Sequence, residues 1–189
     1  ELFLEAGGLF PKEMGALLKR FAEISRKYSE YIAESNYRFA TFHDDIAMAS
    51  GPVFHPDWYR QYVFPLYEYI FEPLRQAGKP IIFLSDGNLN EFLEDIRDVH
   101  VDGISFEIST DLHTAVNILG KDKIYSGNMN CKVLQFGNKM DIYNEVKRVS
   151  KIAQEIPGFI LHCSNGIGSE IPLQNVYHYF DAVEKFRRR

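Results

Sequence analysis

The chain has 189 residues, enough for one domain with a sizeable core; it is 46% hydrophobic and 25% charged, with a net charge of −5. The one dense basic run is Arg187-Arg188-Arg189, so composition argues against nucleic-acid binding, and no apolar run approaches the ~20 residues of a membrane span. Two cysteines, Cys131 and Cys163, make no disulfide framework and point to a reducing, cytoplasmic setting.

The start, Glu1-Leu2-Phe3-Leu4, reads as the interior of a longer sequence, so upstream strands are expected to be absent. From Pro11 to Glu34, Met14, Leu17, Leu18, Phe21, Ile24, Tyr28 and Ile32 recur at helical spacing, with Pro11 at a favoured first position. A strand over 38–42 follows and runs into His43-Asp44-Asp45. Gly51-Pro52 marks a loop. Pro56 and Pro65 open two helices dense in aromatics, and Pro73 predicts a kink or early stop in the second.

A strand over 80–84 ends in Ser85-Asp86-Gly87-Asn88. Asn88 or Asn90 can cap the helix carrying Phe92, Leu93 and Ile96. The strand over 103–106 ends at Glu107. Asp111 can cap a helix that stops at Gly120. The strand over 123–126 leads into Gly127-Asn128-Met129-Asn130. A helix over 139–155 presents Ile142, Val146, Val149 and Ile152 on one face. The strand over 158–161 ends in His162-Cys163-Ser164-Asn165-Gly166, and Pro172 opens a last helix with Val176, Phe180 and Val183 inward.

Short apolar runs bounded by turn formers suit strands buried on both faces, and their alternation with helices predicts a parallel sheet. Such sheets gather their chemistry at the strand C-termini. With no linker, 1–189 reads as a single domain. Two architectures fit: an open doubly wound sheet, or part of an eight-stranded barrel. No G-x-G-x-x-G fingerprint follows the first strand, so a nucleotide-binding sheet has little support.

The ordered strand ends resemble the uroporphyrinogen decarboxylase superfamily, which includes the decarboxylase of haem synthesis and methyltransferases that work with corrinoid proteins. The resemblance rests on Asp44-Asp45-Ile46-Ala47, Phe64-Pro65, Asp86-Gly87-Asn88, Asp102-Gly103-Ile104, Gly127-Asn128, Val133 to Gly137 as a loop, Gly166-Ile167 and Pro172 to Val176. It implies an α/β fold of the (β/α)8 TIM-barrel type, of which this chain would supply the C-terminal five β/α units. The missing barrel half, or a second chain, would then be needed to cover the open sheet edges.

The candidate catalytic residues are Asp45, Asp86, Glu107 and His162. Each is a titratable group at or next to a strand end, and an acid finishing an apolar strand is costly to bury without a partner. Asp44, Asn88, Asn128, Asn130 and Asn165 are candidates for substrate binding. The methyltransferases typically carry a His-x-Cys zinc pair and a later Cys. Aligned on Gly87-Asn88 and Gly166-Ile167, those positions hold Leu84, Asp86 and Asn165, so that ligand set is not retained. A relocated metal site would draw on Asp86, Glu107, His162 or Cys163. In the decarboxylase the Asn165 position holds a His.

Three functions follow as expectations. The first is methyl transfer between a small acceptor and a corrinoid presented by a partner protein, with a divalent metal. The second is uroporphyrinogen III decarboxylation, which needs no cofactor. The third is a non-catalytic barrel that binds a tetrapyrrole or a partner. A tetrapyrrole polyacid calls for cationic anchors, and the strand ends offer acids and amides instead.

Overall fold

In the computed structural model, residues 2–163 and 166–187 are described. Helices α1 (Leu2–Leu9) and α2 (Pro11–Glu34) lead into β1 (Ala40–His43). A small hairpin, β2 (Ala47–Met48) with β3 (Gly51–Pro52), stands where a plain loop was expected. Then come α3 (Pro56–Tyr62), α4 (Phe64–Gln76), β4 (Ile81–Ser85), a 3-10 turn at Asn90–Phe92, α5 (Leu93–Asp98), β5 (Gly103–Phe106) and α6 (Leu112–Leu119). The chain continues through β6 (Ile124–Met129), α7 (Cys131–Phe136), α8 (Lys139–Ala153), β7 (Gly158–Cys163) and α9 (Leu173–Phe186).

Five strands form one parallel sheet in the order β1-β4-β5-β6-β7. Each strand therefore lies beside the preceding strand of the sheet. A doubly wound sheet reverses its order part-way and covers both faces with helices; this sheet does neither, so that alternative falls. Ala40, Ile81, Phe83, Ile104, Phe106 and Tyr125 point to the helices and are buried. On the other face Thr41 and Ile160 are exposed and Ile82, Leu84 and Ser126 are half-buried. One covered face and one bare face, with sequential order, make an arc of the kind that closes into a TIM barrel.

Strand bounds shift outward from the sequence reading. His43, Ser85, Asn128 and His162 are strand residues rather than loop residues. The segment expected as a loop after Asn130 is helix α7, because the Asn130 side chain accepts the Lys132 N–H at 3.0 Å and nucleates a turn. The Asp111 cap and the Gly120 stop form as expected, Gly120 at φ 98°.

Two helices bury only part of the apolar sets read from their sequence. In α2, Met14, Ala22 and Ser29 are buried and Leu18 and Ile32 pack against the core, while Leu17, Phe21, Ile24, Tyr28 and Tyr31 form an exposed line. In α9, Val176 and Val183 pack against the core as expected, with Tyr179 and Ala182 buried beside them, while Phe180 is exposed. Both helices carry more apolar surface than one face can bury, and periodicity alone does not say which side meets the sheet.

Pro73 does not stop α4, which continues to Gln76. A proline frees the carbonyl four residues earlier, here that of Tyr69. The Arg26 guanidinium of α2 donates to that carbonyl at 2.6 Å and lies 4.4 Å from the centre of the Tyr69 ring.

Candidate active site

Parallel strands bring their C-termini to one edge, and there the bare face opens into a hollow of about 280 Å³. It is lined by His43, Leu84, Asp86, Ser105, Phe106, Glu107, His162, Cys163 and Gly166. Neither Lys nor Arg is among these residues. Asp86, Glu107 and His162, three of the four predicted catalytic groups, line it together.

The fourth, Asp45, ties two strand ends. Its Oδ1 accepts the backbone N–H of Asp86 at 2.9 Å and stands 3.0 Å from His43 Nε2. The ligand atoms of His43, Asp45 and Asp86 lie within 4.8 Å of one another. An imidazole with two carboxylates is a hard N/O donor set, suited to a divalent cation. Of the expected metal candidates, Asp86 belongs to this group; Glu107, His162 and Cys163 do not.

Burial raises the Asp86 carboxyl above its ordinary pKa, with the charges of Glu107 and Asp45 adding to the effect and His43 opposing it. Like charges that cannot all ionise comfortably favour a bound cation or a retained proton. Glu107 is anchored rather than loose, since its Oε2 accepts the Gly87 N–H at 2.9 Å. Gly87 has φ 84°, and a Cβ there would collide with the Ala47 carbonyl. The turn that presents Asp86 thus needs a glycine.

Asp44 points the other way, toward α4, where the Tyr67 hydroxyl donates to its Oδ2 at 2.8 Å. Desolvation raises the Asp44 carboxyl; the Tyr67 bond acts in the opposite sense. Asn88 accepts the Asn90 N–H at 3.1 Å and opens the 3-10 turn. Asn128 is 1% exposed; its amide donates to the carbonyls of Thr110 at 2.9 Å and Glu107 at 3.3 Å, and its Oδ1 accepts from Arg148 at 3.3 Å. Asn130 caps α7, and its backbone N–H donates to Glu145 Oε1 at 2.9 Å. These three amides hold the strand ends in place, turned to backbone rather than to the hollow. Asn165 lies outside the described residues.

Two residues that the sequence reading passed over matter here. Ser105 Oγ stands 3.2 Å from His162 Nε2, while His162 Nδ1 donates to the Cys163 carbonyl at 2.7 Å. Because a carbonyl only accepts, Nδ1 carries a proton, and Nε2 is the nitrogen presented to Ser105. Thr110 is fully buried; its Oγ1 accepts from Leu89 N–H and donates to the Gly87 carbonyl, both at 2.8 Å. The signal for Ser105 was in the alternation: Gly103, Ser105 and Glu107 share the face opposite Ile104 and Phe106.

A sequence profile described as uroporphyrinogen decarboxylase (URO-D) matches residues 9–186. The chain belongs to the URO-D family. Among relatives, it is 27% identical over 176 residues to a uroporphyrinogen decarboxylase of Carboxydothermus hydrogenoformans, with 93% of this chain and 48% of that protein covered. A uroporphyrinogen decarboxylase of Thermus thermophilus is 29% identical over 169 residues, with 89% of this chain and 48% of that protein covered. Among solved structures, a methyltransferase from Methanosarcina mazei shares the fold at a TM-score of 0.73 and 20% identity, covering 98% of this chain and 53% of that one. The chain therefore spans about half the length of these family members. No helix among the described residues is long and apolar enough to cross a membrane.

Proposed function

We propose that this chain contributes the C-terminal five β/α units of a (β/α)8 enzyme of the methyltransferase-like branch, moving a methyl group between a corrinoid-bearing partner protein and a small acceptor. The observation that carries this reading is the charge of the hollow: Asp86 and Glu107 with two imidazoles, and neither Lys nor Arg. Two carboxylates 4 Å apart repel by about 4 kcal/mol at an effective dielectric of ~20. A tetrapyrrole polyacid would meet that repulsion several times over, whereas a neutral or cationic methyl carrier would not.

His43, Asp45 and Asp86 fit a divalent cation by donor type and spacing. A cation held there would supply Lewis acidity toward a thiol or hydroxyl acceptor. The chain's own residues do the rest. Asp45 fixes the β1 and β4 ends relative to each other, the Gly87 N–H orients Glu107, and the Cys163 carbonyl orients His162. On this reading His162, whose Nε2 stands beside Ser105 Oγ, takes the acceptor's proton.

Uroporphyrinogen III decarboxylation is the second reading, favoured by the named relatives. The two are separated by incubating the full-length protein with methylcobalamin and a panel of thiols and pterins. Methyl transfer changes the cobalamin spectrum; an unchanged spectrum across the panel, with carboxyl loss from uroporphyrinogen, would establish the decarboxylase instead. Tight tetrapyrrole binding with turnover of neither substrate would leave the non-catalytic barrel.

A further inference from the structure

Behind the hollow, in the small core that α7, α8 and α9 make against β6 and β7, three sulfur atoms converge. Met129 and Cys163 are register partners on adjacent strands, and Cys163 Sγ lies 3.9 Å from Met129 Sδ. Cys131, the other of the chain's two cysteines, packs against the same small core, and each thiol perturbs the ionisation of the other. Met129 is 0% and Cys163 5% exposed, while Cys131 is half-buried and bonds the Gly166 carbonyl at 3.6 Å. Cys163 and Gly166 also line the hollow, so the cluster has an entrance. None of these sulfurs belongs to the His43–Asp45–Asp86 group.

We propose that Cys131, Cys163 and Met129 form a site for a soft monovalent cation of the Cu(I) type. Thiolate and thioether ligands select such ions over hard divalent ones. The spacing suits them: at a metal–sulfur distance of ~2.3 Å, three donors in a plane stand ~4.0 Å apart. The observed 3.9 Å between Cys163 and Met129 sulfurs needs almost no adjustment. Binding exchanges two S–H protons for the ion, releasing both to solvent, and leaves one negative charge on the complex. Tyr179, 5% exposed in the same core, eases the charging of Cys163. Burial holds the Cys163 thiol up at about 11 and raises Cys131 too, so occupancy rises with pH as the two protons become easier to release.

The test uses the reduced full chain under anaerobic conditions, titrated with Cu(I) as its acetonitrile complex against bicinchoninate. The expected result is a single Cu(I) per chain, weakened on the order of 100-fold by Cys131→Ser or Cys163→Ser and roughly 10-fold by Met129→Leu. Met129→Leu keeps shape and burial, and circular dichroism confirms its fold, so the result does not depend on the buried Cys163 variant folding. X-ray absorption should find three sulfur neighbours, and excess Zn2+ should leave the copper bound. Affinity unchanged in Met129→Leu and Cys131→Ser, nitrogen or oxygen neighbours, or displacement by Zn2+ would each overturn the proposal. None of these readouts depends on methyl transfer.

Discussion

At the scale of single residues, the Asp44 carboxyl lies under the Tyr67 hydroxyl, and burial raises it above the ordinary carboxylate value. Ionising it is penalised in the folded chain and free in the unfolded one. Its contribution to stability is therefore complete below the unfolded pKa of ~3.9 and is lost as pH rises through the folded value. Asp44→Asn keeps an acceptor for Tyr67 and cannot ionise. Its melting temperature should exceed that of the parent at pH 7 and match it near pH 4; a loss at pH 7 that disappears near pH 4 would show that the ionised carboxylate is needed. Asn128 behaves oppositely. Asn128→Ala strands the buried carbonyl of Thr110 and removes an acceptor from Arg148, which should cost about 2–3 kcal/mol in urea unfolding. Both residues were legible as polar groups at strand ends. What each one touches was not, because neighbouring residues on a strand face opposite ways and the partners lie 18 to 23 positions away.

Among elements, the α2–α4 pair shows how a local rule is overridden. Pro73 removes a helix bond, and Arg26, 43 residues from Tyr69, satisfies the carbonyl it frees. The two substitutions should therefore couple. Arg26→Ala is expected to destabilise the parent more than it destabilises the Pro73→Ala background, where the Tyr69 carbonyl regains a helical donor. Additive losses in a double-mutant cycle would mean that Arg26 acts through Glu30 and Glu72 instead. Caps and faces were each read in part: Asp111 and Gly120 act as expected, but neither Asn88 nor Asn90 caps α5, while α8 buries Ile142, Val146 and Val149 as its period predicts. Asp111 and Gly120 act within a single turn, so their roles follow from neighbours in the chain. Phe21 and Phe180 fit helical periods, yet both are exposed, since a period does not identify the side that is covered.

For the whole molecule, β1 and β7 each have one strand neighbour in the five-stranded sheet, and the edge helices carry apolar lines: Leu17, Phe21, Ile24, Tyr28 and Tyr31 on α2, and Leu173, Tyr177 and Phe180 on α9. Unpaired edges and apolar patches of this kind promote association. The 189-residue chain made alone should bind a dye such as ANS and sediment as species larger than a monomer at micromolar concentrations. Replacing Phe21 and Tyr28 by Lys should reduce both effects without changing the circular dichroism. A dye-silent parent monomer would show that the arc covers its own surface.

Strand–helix alternation, the parallel sheet and the polar strand ends were all present in the order of residues, because the helix-covered side of each strand calls for apolar residues and turns call for polar ones; the expected burial on both faces is not met, since one face is bare. The family resemblance came from the same order. The choice between a doubly wound sheet and a barrel arc came from which strands lie side by side, a matter of long-range pairing that composition does not encode. Folding also assembled the groups. It brought Asp86, Glu107 and His162 around one hollow, gave His162 a serine, set Asp44 against α4, and drew Met129, Cys131 and Cys163 together. Each grouping joins residues from different strands or helices, so it exists only once those elements are packed.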